Sequence, residues 1–328
     1  MKKRWGILLT VAVVALVVYL LLGIDFVEVY SILKTIQPFY FLLAFLSCFL
    51  SFLVWNLRWK NSLRPVVKGK FRYLFVVLFA GIFMNTITPG TGIGGEPIRA
   101  YYLKKKYKKP QSKFFGAILA DKTLNLSVFF LFLIFSLIYI LAILKIPFNT
   151  KVILQGVLII LILALIIFAL ARFRSAKLFQ KFLFSFGAIK NRFADSQTLH
   201  KYLNTKLGNV KTTFKKNFLH KRRLLLGILL SVGVWLFTYL TSYFVFLALN
   251  FQISFFSVIA VVSVGYFVGD VSPIPGGIGL MESSMFLLYS SMGIPSALAI
   301  AVVLLSRIIY YFYAIFIGSL SLIYLRLK

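Results

Sequence analysis

Acidic residues are scarce in this sequence. Only seven of its 328 residues are Asp or Glu, against 37 Lys or Arg, which gives a formal net charge of +30. Charged residues make up 13% and apolar residues 61%, whereas a soluble domain has about 25% charged and 45–50% apolar residues. This composition excludes an ordinary soluble protein. Because the basic residues lie between apolar runs, we expect them to set topology and to contact anionic headgroups, and we expect no nucleic-acid partner.

Cysteine, histidine and nucleotide-binding motifs are equally sparse. Cys48 is the single cysteine, so an intramolecular disulfide and a thiolate metal site are excluded. His200 and His220 lie in a basic stretch without a set of acidic partners, so we expect no metal site. The sequence has no glycine-rich phosphate loop of the kind that nucleotide hydrolases use. We therefore expect no cofactor.

Long apolar runs, by contrast, recur along the whole chain. A membrane span needs about 20 mostly apolar residues, and no period-two alternation of the barrel type is present. The predicted fold class is an all-α polytopic membrane protein, with residues 1–328 forming a single integral membrane domain. The eight hydrophobic segments are 5–23, 38–59, 71–88, 122–144, 152–171, 224–249, 255–270 and 297–325.

The positions of the basic residues predict a re-entrant hairpin after the second segment. Residues 2–4 are basic and place the N-terminus in the cytoplasm, and the basic connection 58–72, which begins at Arg58, is also inside. The next connection, 104–113, contains six lysines and should again be inside. The chain from Phe71 is therefore predicted to turn within the membrane and return to the same face. The alternative is that the positive-inside rule fails at 104–113.

A second hairpin is predicted to enter from the opposite face. The loop 172–223 contains fourteen Lys or Arg and one acid, so it lies inside, and Arg326 and Lys328 place the C-terminus inside as well. The region 255–295 must then begin and end outside. The result is about six full spans in the plasma membrane plus two oppositely oriented re-entrant hairpins, the arrangement that an inverted repeat produces.

The loop 172–223 is predicted to be a basic amphipathic segment that lies on anionic headgroups. Its apolar residues share one helical face, and lysines occupy the remaining positions. These apolar residues are Phe179, Phe182, Leu183, Phe186 and Phe193.

Glycine and proline mark the two hairpin turns. Non-helical backbone at membrane depth must face a protein interior or a wet cavity, so both turns should face inward. Each turn leads into a carboxylate, Glu96 or Glu282, which the N-terminal dipole of the next helix favours. These carboxylates could serve only as caps that pair with cations such as Arg99. The turn residues are Pro89, Gly90, Gly92, Gly94, Gly95, Pro273, Pro275, Gly276, Gly277 and Gly279.

Charged residues within apolar segments are costly and usually functional. Asp121 is one such residue, and Arg307 needs a counter-ion, for which Asp270 and Glu282 are the candidates. The planar fork of arginine suits a lipid phosphate, although a structural ion pair is an equal alternative. The predicted substrate-binding and translocation residues are Glu96, Arg99, Asp270, Glu282 and Arg307.

The motifs at 89–101 and 275–282, with the run 307–311, resemble the flippase-like transmembrane domain of lysylphosphatidylglycerol synthase and its stand-alone relatives in bacteria and archaea. The resemblance implies that this domain, in full-length synthases, moves the aminoacylated lipid between leaflets, while a separate soluble domain makes that lipid. Because this sequence ends at Lys328, directly after the last segment, we expect the soluble transferase domain to be missing. Polyprenyl-phosphate sugar lipids are a further substrate class among the stand-alone relatives.

The favoured function is a lipid flippase or scramblase for an anionic, aminoacylated or polyprenyl-phosphate lipid, and we expect no enzymatic activity. Two other functions stay open: an ion- or proton-coupled transporter of a small solute, and a membrane-embedded transferase that uses a polyprenyl-phosphate lipid. A scaffold role would leave the buried charges unexplained. The expected partners are membrane lipids with anionic headgroups, and either a second copy of the chain or a separate lipid-synthesising enzyme is a further candidate.

Overall fold

The computed structural model describes residues 26–88, 94–143, 196–272 and 274–327, and every regular element in these ranges is helical. The predicted spans 5–23 and 152–171 lie outside the described residues. The helices are α1 Phe26–Lys34, α2 Pro38–Leu63, α3 Phe71–Ile87, α4 Gly95–Tyr107, α5 Gln111–Ile143, α6 Ser196–Leu219, α7 Lys221–Ala248, α8 Phe255–Val271, α9 Leu280–Ser291, α10 Ser296–Tyr311 and α11 Gly318–Leu327. A 3-10 turn at Pro275–Gly277 joins α8 to α9, and a π-helical turn at Phe312–Ile317 joins α10 to α11.

Four of the described helices are long and apolar enough to cross a membrane. They are α2, α5, α7 and the continuous rod formed by α10 and α11, Ser296–Leu327. Helices α3 and α8 are apolar but have only 17 residues each, which is about 26 Å of helix against about 30 Å of hydrocarbon. The prediction of an all-helical, multi-pass membrane protein is confirmed.

Three sequence-based boundaries are corrected. The fourth predicted segment begins at Gln111 and not at Lys122, because α5 runs on through the end of the basic stretch to a length of 33 residues. The stretch between the first two predicted segments, which was given no element, contains the helix α1. Arg58, assigned to a basic connection, lies inside α2 and is 1% exposed.

Helices α2 and α7 run antiparallel along the centre of the bundle. At one end, the Asn61 side-chain amide donates to the Arg223 carbonyl at 2.9 Å. At the other end, the Gln37 backbone N–H donates to the Ala248 carbonyl at 2.8 Å. Small residues allow a close approach between them, since Gly233 of α7 faces Val54 of α2.

Two short helix pairs enter the bundle from its opposite ends. In the first, α3 and α4 fold back on each other, and the Tyr73 hydroxyl donates to the Tyr102 carbonyl at 2.9 Å. In the second, α8 and α9 do the same, with Gly269 against Met281. The first pair starts at the end where α2 finishes, and the second starts at the end where α7 finishes. We call these pairs the first and second hairpin.

The tips of the two hairpins meet inside the bundle. A Cβ atom on Gly276 in the second tip would lie 3.8 Å from the carbonyl oxygen of Thr86, near the end of α3. The second tip turns through Gly276, Gly277 and Gly279, which have φ angles of 63°, 66° and 89°. Residues other than glycine rarely adopt such positive φ angles, so this turn requires the glycine-rich motif. Residues 89–93 of the first tip, and Pro273 of the second, lie outside the described residues.

The chain contains two successive units of the same design. Each unit has a long helix, a 17-residue helix, a short helix that starts after the turn, and a rod. Their lengths are 26, 17, 13 and 33 residues in the first unit and 28, 17, 12 and 32 in the second. Corresponding helices start 183 to 185 residues apart. This regularity allows positions in one unit to be matched with positions in the other.

Helix α6, the described part of the basic loop, is docked on the bundle. The Asn209 side chain donates to the Ser112 hydroxyl at 3.2 Å, and the Asn217 side chain donates to the Ser62 carbonyl at 3.0 Å. Gly116 of α5 faces the backbone of Val210. The aromatic positions 179–193, on which the prediction of a headgroup-bound helix rests, lie outside the described residues.

Close packing at the first hairpin gives a stability prediction. A Cβ atom on Gly95 would overlap the carbonyl oxygen of Gly81 and lie 2.7 Å from the Asn85 side-chain oxygen. We therefore expect Gly95→Ala to destabilise the protein by about 1–3 kcal/mol, the usual cost of overpacking. Gly208 in α6 has open space around its Cβ position, so Gly208→Ala is the matched control and should leave stability unchanged or slightly raised. Thermal unfolding of the purified variants measures both, and equal melting temperatures would contradict this packing.

Candidate functional site

Eight charged side chains lie within or beside the core of the bundle in the described part of the chain. Four are cations and four are carboxylates, although acids are far rarer than cations in the whole sequence. Charges at this depth persist only when opposite charges or hydrogen bonds compensate them. The set comprises Arg58, Glu96, Arg99, Asp121, Lys122, Asp270, Glu282 and Arg307.

The second hairpin is tied to α10 by an ion pair between Glu282 and Arg307. Arg307 Nε donates to Glu282 Oε1 at 2.6 Å, and both side chains are largely buried. The other carboxylate oxygen of Glu282 accepts the backbone N–H of Gly279 at 2.6 Å and so caps α9. Between the two counter-ions that the sequence left open for Arg307, the structure selects Glu282.

The remaining donors of Arg307 hold the tip itself. One terminal nitrogen donates to the Gly276 carbonyl at 2.9 Å and to the Tyr311 hydroxyl at 2.7 Å. The guanidinium also lies over the Tyr311 ring, 4.7 Å from its centroid. A π-helical turn begins just after this tyrosine, and such turns occur frequently at functional sites.

The first hairpin carries an equivalent but looser pair. Lys122 Nζ lies 3.4 Å from Glu96 Oε1, and Arg99 Nη2 lies 3.7 Å from the same oxygen. Glu96 lies in the first turn of α4 as Glu282 does in α9. Lys122 is 185 residues before Arg307, the spacing of the two rods. Each unit therefore places a hairpin carboxylate against a cation on the rod that follows.

A third ion pair joins Arg58 and Asp121, and the sequence analysis did not predict this pairing. Arg58 Nε donates to Asp121 Oδ1 at 2.8 Å, and the side chains are 2% and 3% exposed. The arginine also donates to Asn125, and the Trp55 N–H donates to Asp121 at 3.4 Å. Asp121 was noted as a charge in an apolar run, but its partner was assigned to a connection because basic residues follow it. The signal that could have found the pair is the buried acid, which requires a cation.

A partly open cavity of about 210 Å³ lies between α2, α5, α7, α8, α9 and α10. Arg58 of the first unit and Arg307 of the second line it, and Asp270 is the acid among its described lining residues. Hydroxyl and amide groups make up much of the rest of the polar wall. These residues are Ser51, Asn125, Thr238, Thr241, Ser242, Tyr266, Ser306 and Tyr310.

Two polar groups in the cavity wall have no hydrogen-bond partner among the described residues. They are the indole N–H of Trp235 and the hydroxyl of Ser306, whose atoms are buried. A buried donor without a partner costs about 1–3 kcal/mol, so such groups require an explanation, and a bound molecule is one. Together with two arginines, these groups suit a ligand rich in acceptor oxygens, such as a phosphate group.

The predicted site residues are distributed between two places. Asp270 and Arg307 line the cavity, and Glu282, which is not among the lining residues, contacts Arg307. Glu96 and Arg99 lie together in the first hairpin, where the buried Arg99 guanidinium lies 5.2 Å from the Trp59 ring centroid. The sequence thus located the charged positions, and the structure shows that they form two ion-paired groups.

The Arg58–Asp121 pair gives a stability prediction. Removing one partner of a buried pair leaves an uncompensated charge, which costs about 3–5 kcal/mol, whereas apolar replacement of both partners costs much less. We expect Asp121→Ala to lower the melting temperature more than the double variant Arg58→Met with Asp121→Ala does. A double-mutant cycle measured by thermal unfolding checks this, and purely additive effects would show that the two side chains do not interact.

Comparison with known proteins agrees with this architecture. A UPF0104 membrane protein of Pyrococcus horikoshii is 30% identical over 298 residues, which cover 86% of this chain and 85% of the relative. A UPF0104 membrane protein of Methanocaldococcus jannaschii is 27% identical over 320 residues, with 96% and 92% covered. The model of the lysylphosphatidylglycerol synthase TM region matches residues 7–318. The chain belongs to the lysylphosphatidylglycerol synthase TM-region family.

Proposed function

We propose that this protein moves a lipid with an anionic headgroup between the two leaflets of the membrane. The observation that carries the proposal is the polar cavity between the two units. Arg58 and Arg307 supply positive charge there, and Trp235 and Ser306 supply donors without partners. A polar chamber within an otherwise apolar bundle gives a charged headgroup a path that lipid itself does not offer.

The proposed topology follows from the hairpins. In it, α3 with α4 and α8 with α9 are re-entrant and enter from opposite faces of the membrane, and six segments cross it fully. The two units then form an inverted repeat, with both termini in the cytoplasm of a cell whose plasma membrane holds the protein. The short α3 and α8, the antiparallel α2 and α7, and the meeting of the hairpin tips support this topology.

The size of the cavity limits what part of the lipid it holds. About 210 Å³ is smaller than the typical pocket of a drug-sized ligand, about 300–1,000 Å³. We infer that the cavity takes the phosphate and adjoining polar atoms while the acyl or prenyl chains stay in the bilayer. Anionic phospholipids, their aminoacylated forms and polyprenyl-phosphate lipids all contain such a phosphate. The protein in this proposal is a translocator and not an enzyme, and a separate lipid-synthesising enzyme supplies its substrate.

The small volume also supports a second candidate, a transporter of a small anion. A free phosphate or carboxylate would use the same arginines and the same donors without partners. The two functions differ in whether a lipid or a soluble solute crosses the membrane, and vesicle assays separate them directly.

The test is leaflet exchange in liposomes that contain the purified protein. Fluorescent phosphatidylglycerol, phosphatidylcholine and a labelled polyprenyl phosphate are compared, since the first and third carry net negative charge. We expect exchange of an anionic lipid, and we expect Trp235→Phe to weaken its apparent binding about tenfold or more, because hydrogen bonds to charged groups contribute about 1.5–3 kcal/mol. Trp235→Phe keeps an aromatic six-membered ring and removes the N–H together with the five-membered ring that carries it.

The matched control is Tyr289→Phe. The Tyr289 hydroxyl is also buried without a partner among the described residues, but it lies outside the cavity wall. This variant should exchange lipid as the wild type does. Equal exchange by Trp235→Phe and the wild type would remove the cavity from the mechanism, and uptake of phosphate without exchange of any lipid would favour the small-anion transporter.

A further inference from the structure

We propose that Asp270 binds a proton together with each anionic headgroup, so that lipid movement is coupled to the proton gradient. This inference rests on the proposed function and adds the coupling ion, which is a proton carried at one carboxylate. It follows from the balance of charges around the cavity, the position of Asp270, and the residue found at the matching position of the first unit.

The charge balance is the first step. Four cations and four carboxylates lie within or beside the core of the described bundle. Arg58 is paired with Asp121, Arg307 with Glu282, and Lys122 and Arg99 with Glu96. With Asp270 ionised, the sum of these eight charges is zero. A lipid phosphodiester carries one negative charge, so its entry would leave the interior with a net charge of one.

Net charge in a low-dielectric interior is costly. One proton on Asp270 restores the balance, because it neutralises the carboxylate in the same step in which the phosphate enters. The two charged species then cross together without moving net charge. By linkage, a ligand that binds the protonated form more tightly draws a proton onto the protein as it binds.

Asp270 is placed where this exchange can occur. It lines the cavity, and its side chain is exposed, so water can deliver and remove the proton. It is the penultimate residue of α8, where the carbonyl ends of the helix dipole disfavour a negative charge. The charged or titratable groups that face this region are Tyr266 on α8, Arg58 and Cys48 on α2, Asp121 and Lys122 on α5, Glu282 on α9, and Arg307, Tyr310 and Tyr311 on the rod α10–α11.

The first unit carries a neutral side chain at the same position. Thr86 is 184 residues before Asp270, the distance between the starts of α3 and α8, and each is the penultimate residue of its helix. The Thr86 hydroxyl donates to the Ile82 carbonyl at 3.0 Å. A neutral side chain is therefore compatible with this position of such a hairpin.

The proton step forms and breaks one covalent bond of the protein, the O–H bond at the Asp270 carboxyl group. A proton from water on one side forms an O–H bond with a carboxylate oxygen of Asp270 as the phosphodiester binds. On the other side the O–H bond breaks, the proton returns to water, and the lipid leaves. One proton moves for each monoanionic lipid, and nothing is oxidised or reduced.

The first experiment uses the wild-type protein in liposomes with labelled phosphatidylglycerol, with and without a pH difference across the membrane. We expect the lipid to exchange at equal pH and to accumulate in one leaflet when a pH difference is imposed. The limit for one proton per lipid is about tenfold accumulation per pH unit, since a tenfold ratio and one pH unit correspond to the same free energy. Exchange that stays symmetric across a pH difference would overturn the coupling while leaving the proposed function intact. No exchange of any lipid would refute the proposed function, and the coupling with it.

The second experiment assigns the proton to Asp270. Calorimetric titration of detergent-solubilised protein with short-chain phosphatidylglycerol, in buffers of different ionisation enthalpy, counts the protons taken up per lipid bound. We expect close to one proton for the wild type and close to none for Asp270→Asn, whose steady-state lipid distribution should also ignore the pH difference. Asp270→Ser, which removes the carboxylate with a smaller side chain, serves as the second variant and should give the same count. Proton uptake that persists in both variants would overturn the assignment.

Discussion

In each unit, an ion pair between a hairpin carboxylate and a cation on the following rod connects the hairpin to that rod. In the second unit, Arg307 contacts Glu282, the carbonyl of Gly276 and the hydroxyl of Tyr311, so one side chain fixes the start of α9, the hairpin tip and α10. Backbone that leaves a helix inside a membrane needs such partners. The first unit uses Lys122 and Glu96 at a longer distance, so the same device is tight in one unit and loose in the other.

This asymmetry connects the fold to the proposed movement of lipid. The contact between hairpin and rod is close in the second unit and longer in the first. If the two units exchanged these arrangements, the cavity would open to one face of the membrane and then to the other, as in transporters built from inverted repeats. The cavity itself lies between the units, where Arg58 of the first and Arg307 of the second both reach it. Both arginines are already paired with carboxylates, so each pair is electrically neutral before a phosphate enters.

Much of this could be predicted from sequence, for identifiable reasons. Apolar length predicted the described spans to within a few residues at most ends, and glycine and proline located the hairpin tips, because positive φ angles at Gly276 and Gly279 require glycine. Glu282 as a partner of Arg307 was one of two candidates. Arg58 could not be placed, because a basic residue at the end of an apolar run resembles a topology signal, and only its contact with Asp121 identifies it as internal. The cavity depends on contacts between distant helices, which no local pattern encodes.

The central claim is that the two hairpins enter from opposite faces of the membrane. Cysteine accessibility tests it most directly, in a background in which Cys48, the single cysteine, is replaced by serine. Lys104 follows the first tip and Ser291 follows the second, and both are exposed. A membrane-impermeant maleimide should label Lys104→Cys only from the cytoplasmic face and Ser291→Cys only from the outer face. Labelling of both positions from the same face would contradict the account.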